Sequence, residues 1–315
     1  MSLFTRIFRR KSSAPRSVSV GSVTVDLFDE EFLRKLQSLA LMSRRSASGA
    51  RRGERRSKKR GSGVEFADHR RYVAGDDIRF LDLGVYQRFG KLLLRLFEEE
   101  EDLSLFFLLD DSASMGMNGS AKLNQAAKVA AALCYIGLAG LDRVSVYTLS
   151  AQLDGRLPPT RGKQRVFRIL RFLSQIKLQG QTDLGAAARS FVAQNKRRGL
   201  VVLLSDLFDS HGFESGINVL RFNKFEPVVL HLVDERDKAT QLSGDLLITD
   251  AESAAAREVS MTPALSERIG QAVTAHHEQI ARFCGSRGVP YFEVDVNVPF
   301  DQVVLNVLRK GGFLR

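Results

Sequence analysis

The 315-residue chain has no Trp, two Cys and five His. Cys134 and Cys284 fall in helix-like stretches with no metal-binding pattern, which predicts buried thiols in a reducing cytoplasm. His69, His211, His231, His276 and His277 show no metal spacing, and His276-His277 reads as a solvated helix face. The longest uncharged apolar run, Val129 to Leu141, is shorter than the about 20 residues that cross a bilayer. Arginines interrupt the few apolar residues of Met1 to Arg16, so no cleaved signal sequence is expected. A Walker P-loop is excluded because Gly155 and Gly162-Lys163 are wrongly spaced and Gln164 replaces Ser or Thr. No internal repeat is visible.

What is present is a globular composition, 44% apolar and 26% charged, with a lopsided net charge of +11. Residues 1–60 hold 16 Lys+Arg against 5 Asp+Glu, whereas the other 255 residues hold 31 of each. The basic character therefore belongs to an N-terminal arm. Within it, Leu3, Phe4, Ile7 and Phe8 suit one amphipathic turn, and Asp29 to Arg45 predicts a helix capped by Asp29. Arg51 to Gly63 is a basic, flexible segment. The expected organisation is an arm over 1–60, a segment over 61–102 packing on the core, and a main domain over 103–315 with an insertion at about 235–262.

In the segment, a loop-rich stretch runs to Arg88 and Lys91 to Phe97 reads as a strand. From Leu103 onward the pattern is regular. Apolar runs at 103–109, 143–149, 199–205, 226–233 and 289–295 read as buried strands. Helical patterns lie between them at 121–140, 163–176, 184–195, 212–224 and 263–285, with a last one at 299–310. This alternation predicts an α/β fold with a doubly wound, mostly parallel sheet. Leu153 to Leu157 reads as an antiparallel edge strand, and the stretch around Asp245 to Asp250 as a β-hairpin.

The strand at 103–109 runs directly into Asp110-Asp111-Ser112-Ala113-Ser114. Alternate residues of an extended loop point the same way, so Asp110, Ser112 and Ser114 can converge. One carboxylate and two hydroxyls are hard oxygen donors suited to Mg²⁺ or another hard divalent cation. The same residue types also make ordinary turns and helix caps. In an open parallel sheet, ligands gather at the carboxyl ends of strands near the reversal of strand order. Asp206 closes the strand at 199–205, and the loop Gly180 to Gly185 offers the Thr182 hydroxyl. Three loops thus present oxygen donors to one edge.

These three elements resemble the von Willebrand factor A fold and its metal-ion-dependent adhesion site. The resemblance implies that Ser112, Ser114 and Thr182 bind Mg²⁺ (or Mn²⁺ or Ca²⁺) directly, while Asp110 and Asp206 act largely through water. It further implies that an acidic residue of a partner completes the shell. A second resemblance is carried by Phe66, Arg70, Tyr72, Gly75-Asp76-Asp77, Arg79 and Asp82, followed by Arg88 and the acidic run Glu98 to Glu101. That order is similar to the bacterial "domain of unknown function 58" family, which usually has Trp where this chain has Leu83. The family resemblance implies action with a MoxR-type AAA+ ATPase in assembling or maturing a client protein. Gly75-Asp76-Asp77 itself reads as a tight turn whose carboxylates pair with Arg70, Arg79 or Arg88 and dock the segment, or as an acidic loop facing a partner.

The expected function is therefore a metal-dependent protein-binding module. A metal-dependent hydrolase is the alternative, disfavoured because no His lies in the three loops to act as a general base. The basic arm offers a third reading, association with an anionic membrane surface or nucleic acid. It lacks interleaved aromatics for base stacking; a solvated linker is an equal reading, and Phe4, Ile7 and Phe8 beside Arg6, Arg9 and Arg10 tilt it towards the membrane. The expected location is the cytoplasm, free or at the membrane periphery.

Overall fold

A computed structural model of the protein describes residues 6–10, 27–50, 60–61, 65–98, 104–238, 244–250 and 256–310. They fall into two units. One comprises the described residues up to Arg44 together with those from Ser104 onward, and the other those from Arg45 to Glu98.

The chain begins with strand β1 (Arg6–Arg10) and helix α1 (Glu30–Ala50). Asp29 caps α1 as its sequence position predicts, accepting from the Glu31 and Phe32 amides at 3.1 and 3.2 Å. Phe32, Leu36 and Leu39 recur at helical spacing, are buried, and join the core of the first unit. The Phe32 ring packs on Phe300 at 4.9 Å between centroids. Ile7 and Phe8, expected in an amphipathic turn, lie instead in β1, where β10 supplies an antiparallel partner. Leu3, Phe4 and most of Arg51 to Gly63 lie outside the described residues.

The second unit holds β2 (Arg60–Gly61), β3 (Glu65–Arg71), helix α2 (Leu83–Phe89) and β4 (Leu93–Glu98), with strand order β2-β4-β3, all antiparallel. The strand expected at Lys91 to Phe97 is β4, but the stretch before it is less loop-rich than its sequence implies. The charged strand β3 has little apolar alternation of its own and is defined by its ladder to β4. Helix α2 is seven residues long, too short for periodicity to register.

From Ser104 the order is β5 (Ser104–Asp110), α3 (Met117–Ala139), β6 (Arg143–Leu149), β7 (Leu153–Thr160), α4 (Val166–Ser174), α5 (Leu184–Gln194) and β8 (Leu200–Ser205). It continues with α6 (Phe213–Phe222), β9 (Glu226–Val233), β10 (Gly244–Asp250), β11 (Ala256–Met261), α7 (Pro263–Ser286), β12 (Tyr291–Asp295) and α8 (Phe300–Lys310). Six strands form a central sheet in the order β12-β9-β8-β5-β6-β7. All neighbours are parallel except β7, the expected antiparallel edge. The expected hairpin is β10–β11.

Both faces of the sheet are covered. Leu105, Phe107 and Leu109 of β5 point into a core with α1, α3, α4 and α8, while Phe106 and Leu108 point into one with α5, α6 and α7. This period of two in a fully buried strand explains why its sequence reads as a continuous apolar run. Each such Leu or Phe contributes about 1.5–3 kcal/mol by leaving water. Cys134 and Cys284 are buried free thiols in α3 and α7.

Candidate functional site

Strand order reverses at β5: β6 follows it on one side and β8 lies on the other. The register pairs Leu109 with Leu204, so Asp110 and Ser205 emerge next to each other at the carboxyl edge, and Asp206 follows. Asp110, Ser112, Ser114, Thr182 and Asp206 are all wholly buried.

Four of these five side chains form one hydrogen-bonded group. Asp110 accepts from the Ser112 amide at 2.9 Å and from the Ser205 hydroxyl at 2.5 Å. The Ser112 and Ser114 hydroxyls lie 3.0 Å apart, and Ser114 donates to Asp206 Oδ1 at 3.1 Å. The fifth, Thr182, sits in a loop fastened to the first by backbone bonds. The Gln179 amide donates to Asp111 O at 2.6 Å and the Ala113 amide to Gly180 O at 3.2 Å. Among the described residues, Thr182 Oγ1 is buried with no hydrogen-bond partner. Beside it, Asp183 caps α5 through the Ala186 amide at 2.7 Å.

Sequence reasoning missed a wholly buried charge contact. Lys122 of α3 is wholly buried, its Nζ 2.7 Å from Asp206 Oδ2 and 3.0 Å from Asp237 Oδ2. A signal for it existed, because Lys122 shares a helical stripe with Ala126, Val129 and Leu133, all buried. Asp237 lies in the 3-10 turn Glu235–Lys238, which also receives Asn118 Nδ2 at 3.0 Å on Asp237 Oδ1. Three of the five non-glycine residues with left-handed backbone among the described residues, Asn118, Ser120 and Leu207, flank these loops. Such residues cost on the order of 1–3 kcal/mol each and persist where surrounding contacts over-determine them.

Burial and the nearby Asp206 push the Asp110 carboxyl up to about 7. Burial pulls the Lys122 ammonium down, but Asp206 and Asp237 outweigh it and raise its pKa. His276-His277 is not the solvated face expected, because α7 packs on the segment after Asp206. The His276 ring stacks on Phe208 at 5.3 Å and its Nε2 donates to Leu207 O at 3.2 Å. His277 meets the ring of His231 edge-on at 4.7 Å. His231 Nε2 donates to Asp206 O at 3.2 Å, which leaves Nδ1 to accept from the Tyr291 hydroxyl at 2.8 Å. Burial lowers all three histidines, His277 to about 4. Among the described residues, no group of three or more His, Cys, Asp or Glu is arranged to hold a metal ion. The donors gathered here are mainly hydroxyls with two carboxylates.

The family model described as "Protein of unknown function DUF58" matches residues 68–279, two thirds of the chain. The chain belongs to the DUF58 family. Uncharacterized proteins Mb1516 of Mycobacterium bovis and Rv1480 of Mycobacterium tuberculosis are each 27% identical to it over 286 residues, covering 89% of this chain and 90% of theirs. Among solved structures, the conserved hypothetical protein BatB from Bacteroides thetaiotaomicron is similar at 13% identity and a TM-score of 0.42, covering 67% of this chain and 98% of that one. The pilus adhesin SpaC from Lactobacillus rhamnosus GG is similar at 13% identity and a TM-score of 0.38, covering 68% of this chain and 30% of that one.

The signature residues of this DUF58 chain make ion pairs inside the second unit. Arg70 grips Asp76 through two bonds of 2.9 and 2.8 Å, and Asp76 also accepts from the Val73 amide, closing the turn at Gly75, whose φ is +106°. Arg79 pairs with Asp77 at 2.6 Å. Asp82 caps α2 through the Val85 amide while Arg95 and His69 each reach its carboxylate at 2.9 Å. Of the three arginines the sequence offered to the turn's carboxylates, Arg70 and Arg79 are the ones that pair with Asp76 and Asp77. Leu83 is exposed. Among the described residues, no helix is long and apolar enough to cross a membrane.

Proposed function

We propose that this chain is a von Willebrand factor A-type protein-binding module, not an enzyme, that uses a divalent cation to take an acidic side chain from a partner. The observation that carries the reading is Thr182 Oγ1, a buried hydroxyl with no hydrogen-bond partner among the described residues, on a loop fastened by backbone bonds to the one that carries Ser112 and Ser114. A buried, unmatched polar atom is costly, and an oxygen donor without a partner fits a site that a hard cation completes. Ser112, Ser114 and Thr182 would hold Mg²⁺, Mn²⁺ or Ca²⁺, with Asp110 and Asp206 acting through water. The bound cation supplies an open coordination position for a partner's carboxylate. The chain's own residues orient the donors: Ser205 fixes Asp110, Lys122 and the Phe208 amide fix Asp206, and the backbone bonds at Asp111 and Ala113 hold the Thr182 loop in place.

Binding is favoured over hydrolysis because His231 and His276 are engaged with the carbonyls of Asp206 and Leu207, and His211, the histidine in the loop after β8, is exposed with its ring 3.5 Å from Asp209. A MoxR-type AAA+ ATPase, acting in the cytoplasm on a client protein, is the partner that family resemblance puts forward. The test is capture of such an ATPase by wild type, Asp110→Ala and Ser112→Ala, each with Mg²⁺ and with excess EDTA. Capture is expected only for wild type with Mg²⁺. Equal capture under all conditions overturns the reading.

The charge of residues 1–60 favours one further contact, salt-sensitive association of the arm with an anionic membrane surface, with nucleic acid the weaker choice. Sedimentation with phosphatidylserine vesicles is expected to fall when residues 1–26 are removed. Undiminished sedimentation clears that part of the arm.

A further inference from the structure

Lys122 is an unusual resident for a site that gathers oxygen donors for a cation. Lysine is rarely wholly buried, and taking its charge from water costs several kcal/mol unless counter-charges meet it. Here they do: Asp206 Oδ2 stands at 2.7 Å and Asp237 Oδ2 at 3.0 Å, with the Phe208 ring 5.3 Å from the ammonium. The other oxygen of Asp206 accepts from Ser114 Oγ and the Phe208 amide. Both oxygens of Asp206 are therefore matched by the protein itself. Asp237 belongs to the turn Glu235–Lys238, and Asn118, in the left-handed turn that starts α3, donates to the same carboxylate.

We infer that Lys122 is a built-in cation of the site, which keeps Asp206 and Asp237 charge-balanced without a metal and lowers the affinity for any divalent ion that enters. This rests on the proposed cation site and adds its regulation. A divalent ion near Asp206 meets a fixed positive charge that shares the same carboxylate, in surroundings that screen little. The site is then suited to weak, reversible loading, and the turn at Asp237 sets the balance because it holds the other side of the ammonium. Removing Lys122 and removing Asp237 must therefore shift cation affinity in opposite directions.

The test is calorimetric titration of the full chain with MgCl₂ and MnCl₂, paired with thermal unfolding in EDTA and in Mg²⁺. Lys122→Met is expected to bind Mg²⁺ at least tenfold more tightly than wild type, or about 1.4 kcal/mol. In EDTA its unfolding midpoint is expected below that of wild type, with Mg²⁺ recovering most of the loss. Asp237→Asn is expected to bind at least threefold more weakly. If wild type binds Mg²⁺ and Lys122→Met binds no more tightly, the inference fails and the cation site stands. If Lys122→Met does not fold even with Mg²⁺, Asp237→Asn decides, and unchanged or tighter binding overturns the inference. If no protein binds either ion or gains stability from it, the proposed cation site falls and the inference with it.

Discussion

The Ser205 hydroxyl donates to Asp110 Oδ2 at 2.5 Å, tying the carboxyl ends of the two strands between which sheet order reverses. Ser205 also accepts from the Leu207 amide at 2.9 Å and so shapes the turn carrying Asp206. Ser205→Ala leaves one carboxylate oxygen and one amide buried without this partner. It is expected to cost about 1–3 kcal/mol in a denaturant melt. A loss below about 0.5 kcal/mol would show that the bond is dispensable.

Thr182 separates a structural from a functional role. Its hydroxyl has no partner among the described residues, so the isosteric Thr182→Val is expected to leave the folded state as stable as wild type or up to about 1 kcal/mol more so. The same variant is expected to abolish Mg²⁺-dependent capture of a partner. A marked fall in melting temperature would mean that the hydroxyl supports the fold.

Acid should act on the second unit through Asp82. Hydrogen bonds from Arg95, then His69 and the Val85 amide, hold its carboxyl well below the ordinary carboxylate range. A carboxyl with a depressed folded-state pKa stabilises at pH above its unfolded value, near 4, and that contribution is lost as pH falls through the folded value. The protection of β3 and β4 amides, measured against the intrinsic exchange rate at each pH, is expected to fall below pH 4 in wild type. Asp82→Asn is expected to lower that protection at pH 7 and to flatten its acid dependence, and an unchanged acid profile would remove Asp82 from the account.

Close packing of α5 on α6 depends on Gly216. A Cβ there would lie 2.8 Å from the backbone oxygen of Leu184 and 2.9 Å from its Cβ. Gly216→Ala is expected to cost about 1–3 kcal/mol. In contrast, Gly285 of α7 faces open space, so Gly285→Ala is expected to be neutral or to stabilise by about 0.5–1 kcal/mol. Thermal melts of the pair check both signs.

Much of the first unit was legible because its strands and helices are written in apolar period. Runs such as 103–109 and 199–205 became β5 and β8, and the strand-end rule drew Asp110, Thr182 and Asp206 towards one edge from separate parts of the chain. The second unit was less legible. Strand β3 is charged and depends on β4 for its ladder, and α2 is a single short helix stabilised by its Asp82 cap.

By itself the sequence determined the alternation of strand and helix, the sheet edge where the oxygen donors collect, and the N-terminal location of the net charge. These are local properties, set by side-chain period and residue type along the chain. Only the tertiary structure decided that Lys122 faces Asp206 and Asp237, and that His276-His277 lies against Phe208 and His231. Asp206 and Asp237 stand 84 and 115 positions beyond Lys122. A charge buried beside partners so distant depends on the packing of α3, β8 and the 3-10 turn after β9, which no single segment encodes.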